Sequence, residues 1–214
     1  MPGMRSLPLP EMLELLSDLP VKYACLAAIG ATTGCRITEI LMLQRHDLLD
    51  HDGKIKQEIS FVKLKSQKKS QKKSQNRKPK TVHRKLSIPV DFHPYILSHL
   101  QAEEERGYDM PADWVFRGKK GRHLSRYSAY NEFRKILGSG YGTHWMRKTF
   151  AQELFKFLLN ENSRDPMRAL ELTRKALDHK RLDTTVKYLG IQEEAISNAQ
   201  NEIFNIRKIK NEKK

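Results

Sequence analysis

Apolar residues recur at helical spacing through most of the chain, and turn-forming residues separate the segments. In the last such segment, Ile196, Ala199, Ile203 and Ile206 return every three or four residues, which places them on one face of a helix. Prolines suited to a first helical turn support two of the predicted starts. We predict helices at residues 8–18, 21–29, from about 36, 94–105, 125–137, 143 to about 159, 165–177 and 192 to about 207.

Two segments instead alternate in part and are rich in residues that favour strands, namely Glu58–Lys65 and His83–Val90. They predict two strands of one hairpin or small sheet, and Trp114–Phe116 predicts a further short strand. The expected fold is therefore mainly α with a small antiparallel β-sheet, an α+β class. No clear break divides the pattern, so we predict one catalytic domain at 1–190 and a helical tail at 191–214.

The charge of the chain points to a polyanionic partner. The 214 residues carry a formal net charge of +15, and nucleic acid is the commonest partner of so basic a protein. No window approaches the ~20 apolar residues of a membrane span, and the N-terminus lacks the features of a secretion signal. We expect a cytoplasmic protein without a membrane partner. Cys25 and Cys35 lie in apolar surroundings and are interpreted as core thiols.

The strand-connecting segment 66–82 has a four-residue repeat of low complexity, which predicts a flexible basic hairpin loop. Each lysine taken alone is best explained as an ordinary solvated residue. As a group, seven cations of this loop are suited to DNA phosphates. They are Lys68, Lys69, Lys72, Lys73, Arg77, Lys78 and Lys80.

The stretch Gly142–Leu154 combines a histidine, an arginine and an apolar stripe in one short segment. If Thr143 caps a helix, His144 and Arg147 lie one turn apart and face outward together, as in the wall of a phosphate site. A histidine and an arginine on a helix are by themselves more often ordinary surface residues. The meaning of this pair therefore depends on the other motifs of the chain.

Three motifs follow one another in an order that carries more information than each alone. The first is Thr33-Gly34-x-Arg36-x-x-Glu39, the second is His144-x-x-Arg147-x-Thr-Phe-Ala, and the third runs from Leu177 through His179 to Tyr188. In order and spacing they resemble the catalytic domain of the tyrosine recombinases, the phage integrase family. The match spans Thr33 to Tyr188, which is most of the chain.

The resemblance implies a role for each matched residue. Arg36 and Arg147 would be the arginine pair, His144 and His179 the histidines of the two later motifs, and Tyr188 the nucleophile, with Glu39 at a supporting acidic position. The chemistry suits these residue types, because two guanidinium groups can hold the charge that develops on a phosphodiester under attack. A tyrosine forms a covalent 3′-phosphotyrosyl intermediate that preserves the bond energy, so that neither a cofactor nor a metal is expected.

The departing 5′ oxygen needs a proton, and a lysine on a hairpin is a reasonable general acid. Lys65, at the end of the predicted strand, is the preferred residue and Lys63 the alternative, because nothing in the sequence fixes the register. Asp178 stands where the family usually has glycine, and it either points away from the site or helps to orient His179. Lys148 replaces a common second histidine.

These features predict a site-specific DNA recombinase of the integrase or resolvase type. The resemblance implies a bacterial, phage, plasmid or mobile-element protein that acts on double-stranded DNA at the nucleoid, as a tetramer on paired sites. It also implies that the tail 191–214 docks in a neighbouring subunit, and the alternative is that its apolar stripe folds back on its own domain. The family's N-terminal DNA-clamping domain is not expected, which fits either an excised fragment or a short recombinase. A type IB topoisomerase-like relaxing enzyme and a non-catalytic basic DNA-binding module remain alternatives.

Overall fold

The computed structural model describes residues 5–63, 82–161 and 165–190. In these ranges the helices are α1 (Leu9–Asp18), α2 (Val21–Thr33), α3 (Ile37–Ile40), α4 (Arg45–Leu48), α5 (His93–Glu104), α6 (Arg126–Leu137), α7 (Trp145–Glu161), α8 (Pro166–Ala176) and α9 (Leu182–Leu189), and the strands are β1 (Ile59–Lys63) and β2 (Val82–Leu86). Short 3-10 turns lie at Val90–Phe92 and Lys119–Gly121. The predicted class, mainly α with a small antiparallel sheet, is confirmed.

The chain divides into two compact units, Met1–Phe150 and Ala151–Lys214. Unit 1 contains α1 to α6, both strands and the start of α7. Unit 2 contains the rest of α7 together with α8 and α9. Among the described residues, no helix is long and apolar enough to cross a membrane.

The core of unit 1 is built around α2, which packs against α1 and α5. Most of α2 consists of small or apolar residues, and its buried side chains include Cys25, Leu26 and Ile29, each fully buried. A helix that is apolar on nearly all sides has to lie inside the domain. The predicted burial of both thiols is confirmed, since Cys35 is also buried.

The helix α2 continues to Thr33 instead of ending at residue 29 as predicted. Thr32 and Thr33 do not interrupt it, because their hydroxyls donate to the carbonyls of Ala28 and Ile29 at 2.7 and 2.6 Å. Threonine hydroxyls that bond back to the preceding turn in this way are compatible with a helical backbone. Gly34 then ends the helix in the left-handed region, at φ 61°.

The strands β1 and β2 pair antiparallel, with Ile59 opposite Leu86 and Phe61 opposite Arg84. The predicted hairpin is confirmed, and β2 ends at Leu86 instead of at Val90 as predicted. The extra strand predicted at Trp114–Phe116 is wrong. This segment forms a single bridge between Trp114 and Gln44 and one bond from the Val115 amide to Leu43, too little pairing for a strand.

Unit 2 places α8 and α9 in contact through a short turn. Asp165 caps α8, as its carboxylate accepts from the amides of Met167 and Arg168 at 3.0 and 3.1 Å. The side-chain amide of Gln152 in α7 donates to the carbonyl of Leu189 at the end of α9. The bond from Gln152 therefore holds the end of α9, the helix that carries Tyr188.

Candidate active site

The turn after α2 joins the first motif to the second. Gly34 adopts φ 61°, and a Cβ atom at this position would collide with the ring of Phe150. Only glycine meets both conditions without strain or collision. The short turn therefore lets α7 approach closely, and it sets the direction in which the chain leaves toward Arg36.

Arg36 lies just before the single turn of α3 and is fixed by Glu39. One carboxylate oxygen of Glu39 accepts the backbone amide of Arg36 at 2.8 Å, and the other accepts its guanidinium at 3.1 Å. The Glu39 side chain is 3% exposed, whereas that of Arg36 is 40% exposed. A buried carboxylate thus orients an arginine that still reaches solvent, through a charge-assisted hydrogen bond.

Arg147 is buried, at 3% exposure, and its guanidinium donates a hydrogen bond to the carbonyl of Gly34. The prediction that Arg147 faces outward together with His144 is therefore wrong. The reason is tertiary, since α7 packs against the end of α2 and places Arg147 against the Gly34 turn. The turn at Gly34 is thus followed closely by Arg36, and its carbonyl accepts a hydrogen bond from Arg147.

His144 precedes α7 and keeps an exposed surface. Its pKa lies below the ordinary value, first because the surrounding protein removes part of its solvent and then because Arg147, Arg126 and Arg36 are positively charged. The imidazole is therefore within electrostatic range of three arginines, and its neutral form is favoured. Arg126, the first residue of α6, was missed by the sequence analysis.

A further cation belongs to the surroundings of this turn. Arg84 of β2 lies opposite Phe61, which is fully buried. Burial raises the pKa of the neighbouring Cys35 thiol to about 11, while a hydrogen bond with Thr33 and the charges of Arg84 and Arg147 oppose that rise. Arg84 is thus near the same turn. Its position was not predicted, because the pairing register of the hairpin was needed to find it.

In unit 2, His179 follows α8 and is oriented by its neighbours. Asp178 adopts φ 54°, in the left-handed region, which aspartate tolerates better than most residues. Because glycine adopts this conformation most easily, the positive φ explains why glycine is expected at this position. The ring of His179 bonds through Nδ1 to the hydroxyl of Thr185 at 3.0 Å.

Tyr188 lies on α9, one turn after Thr185, and contacts His179. The two rings meet edge to face, with centroids 5.5 Å apart and an interplanar angle of 81°. Tyr188 also lines an open groove of about 500 Å³ together with Arg181 and Lys187. The third motif therefore places the ring of a tyrosine against a histidine, at a groove that basic side chains also line.

The structure brings the predicted residues together in two groups. Arg36, Glu39, His144 and Arg147 belong to unit 1, and His179 and Tyr188 belong to unit 2. Lys65, the seven cations of the predicted basic loop and the tail 191–214 lie outside the described residues. The alternative Lys63 is the last residue of β1.

The comparison with protein families identifies the chain. The sequence profile of the Phage integrase family matches residues 4–195. The chain belongs to the phage integrase family. No curated protein sequence shows a significant match.

Solved structures with the same fold are tyrosine recombinases. The XerH site-specific recombinase bound to its difH substrate matches with a TM-score of 0.57 and 23% identity over 91% of this chain and 52% of XerH. XerA recombinase matches with a TM-score of 0.61 and 16% identity over 94% of this chain and 66% of XerA. The Tn1549 transposon integrase in complex with circular intermediate DNA matches with a TM-score of 0.56 and 16% identity over 88% of this chain and 61% of the integrase chain. The chain thus has the tyrosine recombinase catalytic-domain fold and spans about half the length of XerH.

Proposed function

We propose that this protein is a site-specific DNA recombinase that cleaves and rejoins double-stranded DNA through a 3′-phosphotyrosyl link. The observation that carries the proposal is the arginine pair at the Gly34 turn. Arg36 and Arg147 are fixed by a buried carboxylate and by a backbone carbonyl, so neither has to reorganise when charge develops nearby. Such preorganised donors favour the transition state of phosphoryl transfer.

In the proposed reaction, the Tyr188 oxygen attacks the phosphorus as its proton passes to water, and the bond between the phosphorus and the 5′ oxygen breaks. Arg36 and Arg147 hold the negative charge on the non-bridging oxygens. A proton from Lys65 neutralises the departing 5′ oxygen. The link keeps the energy of the bond, so a second 5′-hydroxyl can attack it and release Tyr188.

The two histidines serve as hydrogen-bonding partners of the same phosphate in this proposal. The lowered pKa of His144 favours a neutral ring, which can donate one hydrogen bond and accept another. His179 is oriented through Nδ1, and its contact with Tyr188 supports a role beside the nucleophile. Asp178 serves the backbone turn, which supports the orienting alternative considered from the sequence.

The decisive experiment is to trap the covalent intermediate on a nicked DNA substrate and to detect it after denaturation. Tyr188→Phe should bind DNA normally and give no denaturant-resistant adduct, because the phenyl ring lacks the attacking oxygen. Tyr95→Phe, which removes a hydroxyl from α5, is the matched control and should give the parent yield. Adduct from Tyr188→Phe at the parent level would exclude Tyr188 as the nucleophile.

Two further substrates separate the alternative functions, a supercoiled plasmid for relaxation and a pair of DNA sites for strand exchange. A non-catalytic DNA-binding module gives no adduct with the parent protein. A topoisomerase-like enzyme gives adduct and relaxes supercoils but does not exchange strands between two sites. Exchange between two paired sites is the result expected of a recombinase.

The proposal includes self-association on DNA, with a tetramer on paired sites and with the tail 191–214 docking in a neighbouring protomer. The apolar stripe of that tail requires an apolar partner. A chain that ends after Gln192 should stay folded and bind DNA but lose cooperative assembly in sedimentation. Assembly equal to that of the full chain would show that the tail is dispensable.

A further inference from the structure

The turn between α8 and α9 depends on one arginine that the proposed chemistry does not use. Arg174 is in the last turn of α8, and its guanidinium donates three hydrogen bonds of 2.7 Å each. Two of them go to the carboxylate oxygens of Glu171, one turn earlier. The third goes to the backbone carbonyl of His179, beyond the end of the helix.

His179 is therefore tied to residue 174 at both of its backbone polar groups. Its amide donates to the carbonyl of Arg174 at 3.0 Å, and its carbonyl accepts from the Arg174 side chain. Asp178 adopts the left-handed conformation between them, as in a Schellman end of a helix. With Nδ1 bonded to Thr185, three hydrogen bonds fix the backbone and ring of His179.

Glu171 is needed because it holds the arginine in place. An arginine and a carboxylate three residues apart on an exposed helix contribute little to stability by themselves. Here the bidentate pair aims the third donor of the guanidinium fork at the turn. A lysine keeps the charge but lacks the planar fork, so it cannot reproduce this geometry.

We propose that Arg174, oriented by Glu171, is a positioning residue for His179. It acts through the α8–α9 turn and touches no substrate. The role of His179 in DNA cleavage rests on the proposed function, whereas the mechanical link between Arg174 and the turn does not. The two parts can therefore be tested separately.

The first experiment measures amide hydrogen exchange in the full chain without DNA. Arg174→Met should speed exchange of the Asp178 and His179 amides roughly tenfold or more, because their turn loses its closing bond. Lys175→Met, which removes a positive charge from the same helical turn, is the matched control and should leave these amides unchanged. The Ala169 amide, bonded to Asp165 at 3.1 Å, reports whether α8 as a whole has loosened.

The second experiment measures the rate of adduct formation at saturating DNA in a double-mutant cycle. Arg174→Met should slow the reaction roughly tenfold in the parent chain and have no further effect in a His179→Ala background. Arg174→Lys should behave as Arg174→Met, and Lys175→Met as the parent.

Unchanged exchange at Asp178 and His179, or equal acceleration throughout α8, would overturn the positioning role. An equal loss of rate with and without His179 would also overturn it, because Arg174 would then act by another route. If the parent chain forms no adduct, the proposed function fails and the exchange measurement alone decides the role of Arg174.

Discussion

The two groups of site residues are built in different ways. In unit 1, Arg147 donates to the carbonyl of Gly34, a hydrogen bond between residues 113 positions apart. In unit 2, His179 and Thr185 are hydrogen-bonded although only six positions separate them. The arginine cluster is therefore a product of long-range packing, and the histidine–tyrosine turn is a product of local helix ends. A change anywhere in the core can therefore disturb the geometry of the first group. The geometry of the second group depends mainly on the residues of its own segment.

The largest expected effect is a loss of reaction rate, which distinguishes an arginine that stabilises the transition state from one that stabilises the fold. Arg147→Met should lower the rate of adduct formation by roughly a hundredfold, as expected when a transition-state donor is removed, with a much smaller loss of DNA affinity. Arg45→Met is the matched control, because Arg45 is also buried and donates to a backbone carbonyl, that of Leu100 at 3.1 Å. Arg45→Met should lower the melting temperature and leave the rate per folded molecule intact. Equal loss of rate in both variants would mean that stability, and not charge, explains the defect.

A second change tests whether the arginine cluster depends on close packing at its turn. Gly34→Ala should destabilise the protein by about 2 kcal/mol or more, from the strained φ and from collision with the Phe150 ring. Gly53→Ala is the control, with a similar φ of 75° and open space around the added Cβ. Gly53→Ala should lower the free energy of unfolding, measured in urea, by about 1 kcal/mol. Equal costs would show that the collision with Phe150 adds nothing.

The predicted basic loop provides a test of DNA binding that is separate from DNA cleavage. Replacing its seven cations by serine should weaken all DNA sequences about equally and flatten the salt dependence of affinity, by up to ~0.9 log units for each phosphate that the loop no longer neutralises. The adduct rate at saturating DNA should change much less than in Arg147→Met. Affinity measured from about 50 to about 200 mM salt gives the slope, and an unchanged slope would show that the loop does not bind DNA.

The smallest expected effect concerns acid sensitivity, which should arise in unit 1. Burial lowers the pKa of His99, whose ring stacks on Phe116 and bonds through Nε2 to the carbonyl of Val115. The pKa of His144 is lowered as well. Because the unfolded chain takes up these protons first, stability should fall as the pH drops below the ordinary histidine value of 6.5.

His99→Gln removes one titrating group and retains a donor for Val115. Its urea unfolding should therefore depend less on pH, between about 7.5 and about 5.5, than that of the parent chain. The same dependence in both proteins would show that His99 contributes nothing to the acid sensitivity.

The sequence allowed most helices to be placed within a few residues, since their apolar spacing and proline starts are local features. It missed α4 and left α9 unassigned, because a short helix offers too few periods for a pattern to emerge. It also assigned a strand to Trp114–Phe116 on composition alone. Whether such an apolar run forms a strand depends on what lies opposite it, and here Gln44 and Leu43 offer one bridge and one bond.

The sequence by itself determined the family, through three spaced motifs, and the same motifs predict the candidate site residues. It also contained the local geometry of the third motif, where Asp178 and Thr185 act within a few residues of His179. Only the tertiary structure decided that Arg147 is buried against Gly34. It also placed Arg126 within electrostatic range of His144 and Arg84 within electrostatic range of Cys35. These interactions join distant parts of the chain, and their formation depends on the packing of the whole core, which no local pattern specifies.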